Sequence, residues 1–111
     1  MTPGVASTTE AGLARTGARV LARIADSNGI IDLALAVNAT HLAVVRCVER
    51  IRNSDHAALE TMVADGDFAW AGLVYSEQLG QDWPGHIEAF HVSELPRLIG
   101  RLQELQRAAA S

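Results

Sequence analysis

The chain has 111 residues, 49% of them hydrophobic and 20% charged, with a net charge of −4, one cysteine and no lysine. That length fits one domain that can bury a core without metal or disulfide staples. A lone Cys47 excludes an internal disulfide framework, and no apolar run approaches the roughly 18 residues of a membrane span. MTPGVASTTE has neither the basic nor the apolar part of a secretory signal, so the expected location is cytoplasmic.

Charge is divided unevenly. Residues 1–53 carry six arginines against four acids, for +2, and residues 54–111 carry three against nine, for −6. Two halves of opposite sign suit a nucleic-acid-binding half joined to an assembly or regulatory half.

Residues 1–9 lack periodicity and read as a mobile tail before a single domain over 10–111. From Glu10 to Ala25, Leu13, Val20, Leu21 and Ile24 recur at helical spacing, and Arg15, Arg19 and Arg23 form a stripe on one side. Asp26-Ser27-Asn28-Gly29 is a strong turn signal. It admits two readings of residues 20–37: two strands joined by an Asn-Gly hairpin, or two helices. Alternation of Ile31, Leu33, Leu35 and Val37 supports the first, and richness in alanine and leucine supports the second.

The next stretch, DLALAVNATHLAVVRCVER over residues 32–50, can be read position by position. Leu33 and Val37 sit four apart, with the small Ala34 beside them. Asn38 tolerates a left-handed backbone, Ala39 is a small turn residue and Thr40 is a capping residue. Val44, Cys47 or Val48, and Ile51 continue an inward face. This pattern resembles the helix-turn-helix of bacterial DNA-binding regulators, over about 20 of the 111 residues. The resemblance implies a recognition helix over 40–52. Thr40, His41 and Arg46 would then lie toward the groove and Arg50 and Arg52 near the phosphates. Leu42, Val45 and Glu49 also fall on the outward face. The apolar pair discriminates: Leu42 and Val45 are exposed in a free DNA reader and covered in a protein whose motif is structural.

Ala57, Ala58, Leu59, Met62 and Val63 give a short helix after the Ser54 cap, ended by Asp65-Gly66-Asp67. FAWAGLVYS (68–76) and GHIEAFHV (85–92) predict a β-hairpin across a turn containing Gly80, Pro84 and Gly85. Trp70 is expected in the core and Trp83 partly exposed. Leu95, Leu98, Leu102 and Leu105, with Ile99, form a C-terminal amphipathic helix opened by Ser93 and Glu94. It packs on its own domain or forms a dimer seam.

Enzyme chemistry has little support. His41, His56, His86 and His91 lack metal-ligand spacing, and there is no phosphate loop or nucleophile elbow. No catalytic residue, metal or cofactor is expected, and a buried Cys47 is inert. The expected fold is α+β: a mainly helical helix-turn-helix domain with a β-hairpin and a C-terminal amphipathic helix. The expected function is a dimeric, sequence-specific DNA-binding transcriptional regulator. The alternative is a non-enzymatic protein-binding adaptor, inhibitor or antitoxin-like module, with a protein partner in place of DNA.

Overall fold

A computed structural model describes residues 4–15, 19–25, 30–37, 41–50, 52–66, 68–77 and 87–110, without the side chains of 53, 109 and 110. Its elements run α1 (Val5–Arg15), β1 (Val20–Ala25), β2 (Ile31–Ala36), β3 (Leu42–Val48), α2 (Asn53–Ala64), β4 (Trp70–Tyr75), β5 (Glu88–His91), a 3₁₀ turn (Val92–Glu94) and α3 (Leu95–Ala110). The strands form one sheet in the order β1-β2-β3-β4-β5. β1, β2 and β3 pair antiparallel in sequence. β3–β4 and β4–β5 are parallel.

This sheet overturns the expectation of a mainly helical helix-turn-helix domain. The expected helices over 32–37 and 40–52 are two antiparallel strands, with Leu33 opposite Val45 and Ala36 opposite Leu42. The physical reason lies in β3. As the central strand it is covered on both faces, so its apolar run is nearly continuous and satisfies helical and strand spacing alike. Its three valines at 44, 45 and 48 then favour the pleated backbone. Of the two readings left open for residues 20–37, the strand pair is the one adopted. Its Asp26–Gly29 turn lies outside the described residues.

The N-terminal helix also differs. α1 begins at Val5, inside the segment read as a tail, and buries Ala6, Thr9 and Leu13. The Thr9 hydroxyl donates to the Val5 carbonyl at 2.7 Å, which settles a buried polar group within the helix. The expected arginine stripe is split between elements. Arg15 ends α1, Arg19 precedes β1 and Arg23 lies on it.

The hairpin expected over 68–76 and 85–92 is likewise corrected. Both strands form, but β5 runs parallel to β4, with Gly72 opposite Glu88 and Tyr75 opposite His91. Parallel neighbours need a crossover of about a dozen residues rather than a tight turn. Gly80, Trp83, Pro84, Gly85 and His86 fall outside the described residues.

Two apolar layers fill the molecule. On one face, Ala6 and Leu13 of α1 and Leu98 and Leu102 of α3 pack over Leu33, Leu35, Val45, Cys47, Val74 and Phe90. On the other, Leu59, Met62 and Val63 of α2 pack over Val44, Val48, Ala71, Leu73 and Tyr75. Trp70 joins the first layer, half-buried. α3 therefore spends its leucine stripe on its own sheet. Among the described residues, no helix is long and apolar enough to cross a membrane.

Candidate functional site

The expected reader residues are placed as follows. Arg46, the one charged residue of β3, points to the α2 side of the sheet, directly opposite Asp32 of β2. Its Nε donates to Asp32 Oδ1 at 2.8 Å and its Nη2 to Oδ2 at 3.1 Å, a bidentate pair. Nη1 donates to Asp55 Oδ1 at 3.2 Å. Asp55 Oδ2 accepts the Arg52 backbone N–H at 3.0 Å, in the first turn of α2. The side chains of Arg46 and Asp55 are 12% and 1% exposed. Its hydrogen bonds to the Asp32 carboxylate hold the Arg46 guanidinium above its usual pKa, so it stays charged.

Arg46 is thus a strut joining β2, β3 and α2. Three of its five N–H donors are committed to these two carboxylates.

The remaining reader candidates do not converge. Thr40 lies outside the described residues. His41 is exposed at the start of β3, where its carbonyl accepts from the Val37 N–H at 2.9 Å. Arg50 and Arg52 are exposed beyond the other end of the strand. Arg50 pairs with Glu77 at 3.0 Å, and both arginines line a cleft of about 380 Å³ with Ile30, Val48, Glu49, Asp55 and Glu77. At roughly 3.3 Å per residue, the length of β3 separates His41 from Arg50 by about 30 Å. Three acids offset the two arginines of the cleft, so it presents no concentrated positive field.

Val45 is 0% exposed, inside the first apolar layer, and Leu42 is half-buried.

A different surface stands out, and it is built by β1. Among the described residues this strand is an edge, paired only with β2, and five of its six residues are exposed. A bulge between Val20 and Ala22 shifts the register. Val20 before the bulge and Arg23 after it lie on the α1 side, opposite Leu35 and Leu33, whereas Ala22 and Ile24 lie on the α2 side, opposite Ala34 and Asp32. α2 packs over β3 and β4, which leaves Ile24 57% exposed, and Leu21 at the bulge is 48% exposed. Among the described residues these are the large hydrophobic side chains that face solvent. Arg23 meets Glu10 of α1 at 3.5 Å, with both side chains partly solvated. Arg15 and Arg19 are exposed as well, and Arg19, whose carbonyl accepts from the Ala36 N–H at 3.3 Å, falls on the α2 side, away from Arg23.

Sequence reasoning missed this surface. VLARIA carries the apolar residues of a core element, and only the strand order makes it an edge. Asp32 and Asp55 were missed as well. The available signal was Arg46 itself, a charge inside an apolar run, which calls for buried partners.

No group of three or more His, Cys, Asp or Glu among the described residues is placed to hold a metal ion. Burial pushes the Cys47 thiol up to about 12, so it is not a nucleophile at neutral pH. Set against family models, curated proteins and solved structures, the chain matches none of them.

Proposed function

We propose that this chain is a non-enzymatic protein-binding module that takes up an extended segment of its partner along β1. The observation that carries the reading is the open edge itself. Among the described residues, β1 has a row of backbone donors and acceptors with no strand beyond it, flanked by exposed Leu21 and Ile24. Natural sheets cover, shorten or charge such edges, and an edge left open with apolar side chains is a template for strand addition. The opposite edge contrasts with it: β5 has four residues, and its Phe90 is buried.

The DNA-reading alternative loses its support at the same positions. A recognition helix needs exposed outward residues, and Val45 is in the core while Arg46 is consumed by Asp32 and Asp55.

A phage-displayed library of random ten-residue peptides tests the proposal. Selection on the immobilised wild-type chain, with counter-selection on Ile24→Lys, is expected to yield clones that bind the first and not the second. Amide exchange of residues 20–25 should slow when such a peptide is added. Absence of clones, or clones indifferent to Ile24→Lys, rejects the reading. So does a mobility shift of genomic fragments by the chain at about 50 mM salt, where phosphate attraction is strong.

A further inference from the structure

We draw no further inference here: the strongest candidate, the cleft of about 380 Å³ between the ends of β3 and β4 and the first turn of α2, carries nothing, because Asp55 already caps that helix end, Arg50 is paired with Glu77, and nothing else among the described residues points to a ligand.

Discussion

Arg46 and Asp32 face each other across β3 and β2 and share two hydrogen bonds, at 2.8 and 3.1 Å, beneath α2. The pair, extended by Asp55 at 3.2 Å, ties three elements at one point. A charge committed in this way is structural, and its removal strands two acids in a largely buried site.

Arg46→Ala is therefore expected to destabilise the fold by about 3–5 kcal/mol, the range for breaking a buried pair from one side. Urea unfolding followed by circular dichroism measures it. In a double-mutant cycle, Asp32→Ala should recover part of that loss, because the carboxylate left behind is then gone as well. A loss below about 1 kcal/mol for Arg46→Ala would show that the strut is not energetically significant.

Gly72 of β4 lies under the Trp70 indole. A Cβ built there stands 2.9 Å from Trp70 Cζ3, closer than real side chains approach. Gly72→Ala must displace the ring, at a cost of about 1–3 kcal/mol for overpacking. In a Trp83→Phe background, Trp70 fluorescence reports the movement directly. An unchanged emission maximum with unchanged stability contradicts this packing.

Leu98 of α3 is fully buried against the sheet. Leu98→Ala should lose about 2–5 kcal/mol, the usual span for emptying a leucine site. Because the contact is within one chain, the loss should be the same across a hundredfold range of protein concentration. A concentration-dependent loss would instead place this helix in a dimer seam.

Cys47 makes stability depend on alkaline pH. Its folded pKa, pushed up to about 12 by burial, lies above that of an exposed thiol, near 8.5. Between the two values the unfolded chain has lost the proton and the folded chain has kept it. The stabilisation is fully present below the unfolded value and declines as pH rises toward the folded one. Unfolding free energy measured from pH 8 to pH 10.5 should fall more steeply for the wild type than for Cys47→Ala. At pH 8, iodoacetamide should leave native Cys47 unmodified and label it in urea. Ready labelling without denaturant would count against the buried position.

Much of the local structure was legible from residue order. α2 follows from Ala57, Leu59, Met62 and Val63, and α3 from its leucines at steps of three and four. Phe68, Trp70, Val74 and Tyr75 marked the β4 region, and the Asn28-Gly29 turn kept a strand pair open for residues 20–37. The helix-turn-helix reading failed where local signals are degenerate: Ala43, Val44, Val45, Cys47 and Val48 are all buried. A run with no polar face has no period by which helix and strand can be told apart.

By itself, then, the sequence determined where apolar segments begin and end, which of them carry a helical stripe, and that Arg46 is out of place among valines. The tertiary structure alone decided which strands neighbour one another and in which direction. That choice turns Arg46 into a strut by bringing in Asp32 and Asp55, from 14 and 9 residues away. It also leaves Leu21 and Ile24 at an open edge, though they resemble core residues in every local respect. Pairing is set by the burial of whole faces over long separations, and no short window of residues contains that information.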